Sequence, residues 1–223
     1  RAVYVGHPLA AAIPLEVPRH AARAGLGLGA DETVVAVLPG SRRSEIKYIA
    51  PCLFATCAAM HRARPLLRFV VPVVPELRAA IEAVRATVAA DLPITLVDGR
   101  AHDALAACDV AIVASGTATL ETALFKRPMV VVYVMHILSW QIGKLVHYQP
   151  WISLPNILLR DHAVPELLQH GATPEKIAAA AFRWLDDPAA VRSLQQRFEA
   201  LHRELHRDTG ALATAAIEAV LQR

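Results

Sequence analysis

The sequence has few charged residues, few aromatic residues and only three cysteines. Charged residues make up 19% and aromatic residues 5% of its 223 positions, whereas 55% are hydrophobic. This composition excludes a disordered chain and is ample for the core of one large or two small domains. Apolar runs such as Pro128 to Met135 are far shorter than the roughly 18 residues of a membrane-spanning helix, so no span is predicted. Because Cys52, Cys57 and Cys108 form no CxxC pair, we expect reduced thiols, a cytoplasmic location and no zinc site.

The sequence also lacks a concentrated patch of charge. Its 23 basic and 20 acidic residues give a net charge of +3, and their spread along the chain argues against a surface that binds nucleic acid. The first residue is Arg1 and not methionine, and it leads directly into an apolar stretch without the pattern of a secretory signal. We therefore expect the sequence to be one part of a longer protein.

Short β-branched runs alternate with alanine-rich segments of helical periodicity. This alternation is typical of βαβ units around a parallel sheet that is buried on both faces. It predicts an α/β fold, a Rossmann-like parallel sheet of about five or six strands with helices on both faces. The predicted strands are 33–38, 68–73, 94–97, 110–114 and 129–134, and the predicted helices are 44–64, 76–89, 101–107, 117–126 and 137–147.

The pattern changes after residue 150. Thr173 and Asp187 each precede a proline and predict the N-caps of two helices. The remaining sequence predicts amphipathic helices, one of which carries a stripe of large apolar side chains: Leu194, Phe198, Leu201 and Leu205. We expect this stripe to be exposed on this chain and to pack on a missing domain or on a second subunit, as in a homodimer.

A small polar turn, 38–45, directly follows the first predicted strand and opens a helix. In open α/β sheets, ligands bind at the carboxyl ends of the strands, where helix N-termini present free N–H groups to anions. Gly40 permits close backbone approach, Ser41 offers a hydroxyl, and Arg42 offers a guanidinium to phosphate oxygens. The alternative is an ordinary turn in which Ser44 caps the helix and the arginines are solvated.

A second polar turn, 114–121, follows the fourth predicted strand in the same way. Ser115, Gly116 and Thr117 place no bulky side chain between a pyrophosphate and the helix end. Glu121 lies one helical turn further on the same face, where its carboxylate can accept both hydroxyls of a ribose or can merely stabilise the helix dipole. Two such turns on one sheet edge favour a nucleotide diphosphate, although neither the GxGxxG nor the GxxxxGKS/T motif is present.

Three further features carry weaker signals. Asn156 follows a proline, where its amide can bridge a phosphate or a sugar or can simply form a turn. His202 and His206 have helical spacing but no third ligand nearby in the sequence, so we expect solvated or capping histidines and no metal site. The segment 137–146, together with Trp151, fits either a membrane-surface helix or a helix that packs on its own sheet.

Taken in order, these motifs resemble those of lipid-A-disaccharide synthases over essentially the whole sequence. The resemblance rests on GHPL at 6–9, LPGSR at 38–42 with Glu45, ASGTATLE at 114–121, PMVV at 128–131 with Tyr133, SLPN at 153–156 and VPELLQ at 164–169. It implies one lobe of a GT-B glycosyltransferase, the carboxyl-terminal half. In that lobe, residues 1–18 would be an interdomain segment and 19–165 the nucleotide-sugar-binding domain. Residues 166–223 would be helices that pack back on the domain, on the missing lobe or on a partner subunit.

The resemblance also implies a reaction. An inverting transferase would join UDP-2,3-diacylglucosamine to 2,3-diacylglucosamine 1-phosphate and release UDP, with no cofactor or metal, at the inner face of the bacterial inner membrane and in peripheral contact with it. The implied UDP-binding residues are Gly40, Ser41, Arg42, Ser115, Gly116, Thr117, Glu121, Tyr133 and Asn156. Arg42 would also be catalytic, because it stabilises charge on the phosphates. The general base is expected in the missing amino-terminal half, so this part alone is expected to be inactive.

Two positions depart from the family pattern, and two other classes of function stay open. Val134 stands where the family often has a basic residue, which removes one phosphate contact unless Arg43 or Lys47 supplies it. Ala11 stands where the family often has an acid, which removes a structural pairing. The alternatives are another UDP-sugar enzyme of GT-B type, either a 2-epimerase or a peptidoglycan precursor transferase, and a non-enzymatic ligand-binding module.

Overall fold

The computed structural model describes residues 2–134 and 150–221, and a six-stranded sheet forms the centre of this part of the chain. The strands are β1 Val34–Leu38, β2 Arg68–Val73, β3 Ile94–Asp98, β4 Val110–Ala114, β5 Met129–Tyr133 and β6 Glu166–Leu168. The helices are α1 Pro8–Ala12, α2 Arg19–Gly25, α3 Arg43–Ala63, α4 Arg78–Val88, α5 Ala101–Ala107, α6 Thr117–Leu124, α7 Leu154–Leu159, α8 Pro174–Asp186, α9 Pro188–Leu205 and α10 Thr209–Leu221.

All six strands are parallel and lie in the order β3-β2-β1-β4-β5-β6. Every residue of β1 and β4 is buried, because helices cover both faces of the sheet. Helices α3, α4 and α8 pack on one face, whereas α1, α2, α5, α6 and α9 pack on the other. The predicted α/β fold, with a Rossmann-like parallel sheet between two helical layers, is confirmed.

The sixth strand is absent from the sequence prediction. Its three residues contain no β-branched side chain, and it forms as an edge strand through pairing with residues 131–133 of β5. It lies just beyond residue 165, so the sheet continues into the segment that the sequence assigns to carboxyl-terminal helices. Most other predicted boundaries hold to within one or two residues; α6, for example, ends at Leu124, and Lys126 follows in a left-handed conformation with φ 54°. The predicted helix 137–147 lies outside the described residues.

The helix caps and the cysteines follow the sequence prediction. Thr173 caps α8 by accepting a hydrogen bond from the Lys176 N–H group (3.4 Å), and Asp187 caps α9 by accepting from the Ala190 N–H group (2.9 Å). All three cysteines are free thiols. The proline that follows each cap therefore marks a true helix start.

The apolar stripe of α9 is buried within this chain, which contradicts the predicted exposed surface. Its four side chains are at most 5% exposed and pack with α1 and α6: Leu194, Phe198, Leu201 and Leu205. Periodicity identifies such a stripe but not the element that covers it, so the prediction failed. Exposed apolar side chains occur instead on α10, at Leu212, Ile217, Val220 and Leu221.

A buried pair, Lys126 and His202, holds the first segment of the chain against α9. Lys126 Nζ donates to the Leu15 carbonyl (2.7 Å) and lies 2.7 Å from His202 Nδ1, whereas His202 Nε2 lies 2.9 Å from the Ala10 carbonyl. Nε2 must donate and Nδ1 must accept, so the ring is neutral. Burial lowers the pKa of His202 and lowers the pKa of Lys126 to about 8. His202 is therefore a buried structural residue, not the solvated or capping histidine expected from the sequence.

Candidate functional site

A cleft opens at the carboxyl ends of β1 and β4, the two central strands. From β1 the chain runs outward through β2 and β3, and from β4 it runs the opposite way through β5 and β6. These two strands thus form the topological switch point, where ligands of open α/β sheets bind. The cleft has a volume of about 570 Å³. Seven of the nine predicted UDP-binding residues line it: Gly40, Ser41, Arg42, Ser115, Gly116, Thr117 and Glu121.

The turn before α6 keeps its backbone donors available for a ligand. Thr119 supplies the first N–H group that bonds back along the helix, to the Gly116 carbonyl (3.1 Å), and its hydroxyl donates to the same oxygen (2.8 Å). The N–H groups of Gly116, Thr117 and Ala118 therefore precede the hydrogen-bond ladder of α6. All three residues line the cleft, so the positive end of the helix dipole faces it and is suited to a pyrophosphate.

Glu121 borders the cleft one helical turn further along α6. Its side chain is 20% exposed, and its Oε2 lies 3.7 Å from Nε2 of His102, a neighbour on α5 that the sequence did not indicate. A carboxylate accepts hydrogen bonds and cannot donate them when ionised. Beside an anion held by the open turn, it is therefore placed to accept hydrogen bonds from sugar hydroxyls.

The turn before α3 is filled by a side chain of the chain itself. Glu45 Oε2 accepts from the N–H groups of Ser41 (2.8 Å) and Arg42 (3.1 Å). Gly40 makes room for this carboxylate, because its φ is +113° and an added Cβ would lie 2.3 Å from Glu45 Oε2. The prediction that the helix end presents free N–H groups is therefore wrong at Ser41 and Arg42, whose N–H groups are bonded to Glu45. Ser44 is not the cap either, since α3 begins at Arg43 after the cap residue Arg42.

The side chain of Arg42 extends from this turn with most of its donors available. It is 79% exposed, and its Nη1 donates to Glu45 Oε1 at 3.2 Å. A guanidinium has five N–H donors in a rigid fork, so the others can meet phosphate oxygens in the cleft. The ion pair between Arg42 Nη1 and Glu45 Oε1 holds the guanidinium close to the turn.

Asn156 and Tyr133 lie outside this cleft lining. Asn156 is fully buried; its Nδ2 donates to the Val164 carbonyl (2.9 Å) and to Glu166 Oε1 (2.8 Å), and its Oδ1 accepts from the Val164 N–H (3.0 Å). Glu166 also accepts from the Ser153 hydroxyl (2.6 Å). The SLPN motif thus braces α7 against β6, and both N–H groups of the Asn156 side-chain amide are already bonded within the chain, which leaves neither for the predicted UDP contact. Tyr133 is half-buried at the end of β5, where it pairs with β6.

The part of the chain that the structure describes offers no cluster of three or more His, Cys, Asp or Glu side chains that could hold a metal ion. Within residues 2–134 and 150–221, no helix combines the length and the apolar character needed to cross a membrane. The segment 137–146, which fits a membrane-surface helix, lies outside these ranges. Trp151, its predicted companion, is half-buried with its ring 5.8 Å from the His162 ring.

The sequence matches a known family and close relatives within it. Residues 1–218 match the family described as lipid-A-disaccharide synthetase. Similar curated proteins are the lipid-A-disaccharide synthases of Albidiferax ferrireducens and Verminephrobacter eiseniae, which are 52% and 50% identical over 99% of this chain. The matched region is 58% of either relative, so the chain spans little more than half of their length.

Solved structures with a similar fold include two that hold uridine nucleotides. Anabaena HepE, in complex with UDP and glucose, aligns over 92% of this chain and 52% of its own with a TM-score of 0.60 and 14% identity. The UDP-GlcNAc 2-epimerase of Neisseria meningitidis, bound to UDP-GlcNAc, aligns over 92% of this chain and 49% of its own with a TM-score of 0.58 and 10% identity. At these identities the likeness concerns the fold alone.

Proposed function

Since the chain belongs to the lipid-A-disaccharide synthase family, we propose that it forms the donor-binding lobe of an inverting GT-B glycosyltransferase of lipid A biosynthesis. The reaction transfers 2,3-diacylglucosamine from UDP-2,3-diacylglucosamine to 2,3-diacylglucosamine 1-phosphate and releases UDP. Because the chain spans 58% of its relatives, the proposal assigns the general base and the acceptor site to an amino-terminal lobe of the full-length protein. Residues 1–18 would join that lobe to the present one.

The observation that carries this proposal is the open turn of α6 beside Glu121 at the switch point. The N–H groups of residues 116–118 would hold the diphosphate, and the Glu121 carboxylate would accept the ribose hydroxyls one helical turn away. Arg42 would reach the same phosphates from the opposite turn. The uridine nucleotides held by the two neighbours of similar fold support this ligand.

Negative charge grows on the diphosphate as the bond to the sugar breaks. Helix-end N–H groups and a guanidinium that already face the cleft stabilise this charge without reorganising at the moment of reaction. We therefore propose a catalytic role for Arg42, with no dedicated metal ion or cofactor in this lobe. We keep Tyr133 in the proposed UDP site because β5 ends beside β4 at the same sheet edge.

Calorimetric titration of UDP into the full-length protein tests the binding site. Arg42→Ala should weaken UDP roughly 10- to 100-fold, the range expected for charge-assisted hydrogen bonds. Arg62→Ala is a matched control, because Arg62 is exposed at the far end of the same helix, and it should leave UDP affinity unchanged. Absence of UDP binding by the wild-type protein would refute the proposal and favour a non-enzymatic module.

An activity assay with acylated and unacylated donors tests the reaction. We expect a disaccharide 1-phosphate and UDP from UDP-2,3-diacylglucosamine and the acylated acceptor, and no turnover of UDP-GlcNAc. Epimerisation of UDP-GlcNAc, or its use with a peptidoglycan precursor, would instead assign the chain to another class of UDP-sugar enzyme. Arg42→Ala should lower kcat, because it removes stabilisation that grows in the transition state.

We propose that the acyl chains of the substrates hold the enzyme at the inner face of the bacterial inner membrane. Co-sedimentation of the full-length protein with lipid vesicles that carry the acylated acceptor tests this contact, and recovery in the supernatant would contradict it. We further propose that the exposed apolar side chains of α10 pack on the amino-terminal lobe of the full-length protein. Light scattering distinguishes this from a homodimer, which would have twice the monomer mass.

A further inference from the structure

One carboxylate in the cleft makes no direct contact with the substrate in the proposed reaction. Glu45 lines the cleft, yet its oxygens are bonded to the Ser41 and Arg42 N–H groups at 2.8 and 3.1 Å and to the Arg42 guanidinium at 3.2 Å. Its side chain is 21% exposed, so the charge stays close to these donors. The turn is built around it, since a side chain at Gly40 would occupy the space that the carboxylate fills.

This arrangement makes the two turns of the cleft unequal. The turn before α6 presents the N–H groups of Gly116, Thr117 and Ala118 ahead of the helix ladder. The turn before α3 has the same place after its strand, but a negative group of the chain already occupies its donors. A diphosphate at the α6 turn therefore has free backbone donors on one wall of the cleft. On the other wall it faces the Arg42 guanidinium, but the backbone donors beside that side chain are already bonded to the Glu45 carboxylate.

We propose that Glu45 is a specificity-determining residue, a resident anion in the place that a further phosphoryl group would take. The inference rests on the proposed UDP site. A third phosphate would need the donors of the α3 turn and would meet the Glu45 carboxylate there, where two like charges repel each other at short range. A neutral sugar on the second phosphate meets no such repulsion. Glu45 thereby favours nucleoside diphosphates and their sugars over nucleoside triphosphates.

The test compares UDP and UTP by calorimetric titration of the full-length protein, in buffer without divalent cations because these would neutralise the triphosphate. Glu45→Gln keeps the size of the side chain and one acceptor oxygen but removes the charge. We expect wild type to bind UTP more weakly than UDP. Glu45→Gln should shrink that preference about tenfold, the order expected when one close like-charge contact is removed.

Two controls separate this effect from fold and from net charge. Glu45→Asp retains the charge and should retain the preference for UDP. Glu204→Gln removes one negative charge from an exposed position that does not line the cleft, and it should change neither affinity. If Glu45→Gln does not fold, as judged by circular dichroism, Glu45→Ala takes its place and must show the same loss of preference.

The outcomes are distinguishable from failure of the proposed function. If wild type binds no UDP, the proposed site itself is refuted, and this inference falls with it. If UDP binds but wild type shows no preference over UTP, or if the neutral variant keeps the wild-type preference, Glu45 does not determine specificity while the UDP site stands. An equal shift in Glu204→Gln would also overturn the inference, because net charge would then explain it.

Discussion

Replacing Gly40 with alanine should destabilise the protein by expelling Glu45 from the turn. The added Cβ would lie 2.3 Å from Glu45 Oε2 and 2.6 Å from its Cβ, so the carboxylate must leave its two backbone donors. The positive φ costs an L residue about 1 kcal/mol, and the loss of two hydrogen bonds to a half-shielded carboxylate adds about 2–3 kcal/mol. For a domain of this size, a total of about 3–4 kcal/mol lowers Tm by roughly 10 °C.

Gly27 supplies the matched control for this substitution. Its φ is +68°, and no heavy atom lies within 4 Å of an added Cβ, so Gly27→Ala should carry the backbone cost alone, about 1 kcal/mol. Urea unfolding followed by circular dichroism measures both variants. In a Glu45→Gly background, the cost of Gly40→Ala should fall by about 2 kcal/mol, because neither the carboxylate nor a Cβ remains at position 45 to meet the added methyl group. An equal cost in both backgrounds, or a cost that matches Gly27→Ala in wild type, would refute the reasoning.

Asn156→Ala should lower the free energy of unfolding by about 3 kcal/mol, because buried groups of Val164 and Glu166 lose their partners. Its folded fraction should keep wild-type UDP affinity, and lost affinity at unchanged stability would contradict the buried role. Glu121→Ala should weaken UDP about tenfold but 2′-deoxy-UDP much less, since the carboxylate acts through ribose hydroxyls; equal losses in calorimetry would point away from the ribose. The lowered pKa of His202 means that the unfolded state takes up the proton first, so stability is present above pH ~6.5 and is lost as pH falls below it. Unfolding at pH 7.5 and 5.5 should show a smaller decline for His202→Gln, and an identical decline would assign the titration to another group.

Most of the fold could be predicted because the amino-acid composition of the central strands indicates that they are buried on both faces of the sheet. Apart from Leu38, the runs Val34–Leu38 and Val110–Ala114 consist of alanine and β-branched residues, and both runs are buried throughout. The strand Glu166–Leu168 has no such composition, and it exists only because β5 leaves an edge for it to pair with. The elements that pack on Phe198 were equally unpredictable. A helical stripe of apolar residues shows that one face of the helix is buried but does not show which element covers that face.

The place of the site could be predicted, whereas the state of its donors could not. Both turns follow a buried strand and open a helix with small residues, which suffices to assign them to the carboxyl edge of the sheet. Whether the Ser41 N–H is free depends on the path of the Glu45 side chain, and spacing along the sequence does not report that path. The predicted UDP contact of Asn156 could not be judged from the sequence for the same reason, because its hydrogen-bond partner Glu166 lies ten residues away on another element.

The strand order brings the N-termini of two helices to one cleft, and the Glu45 carboxylate occupies one of them. β1 and β4 are neighbours, yet the helices that follow them lie on opposite faces of the sheet, α3 on one and α6 on the other. The positive ends of two helix dipoles therefore converge on one cleft from opposite sides, and each would attract an anion. Glu45 supplies that anion at α3 from within the chain. The N–H groups of Gly116 to Ala118 stay open at the end of α6, and this difference between the two turns supports the proposed site for a single diphosphate group.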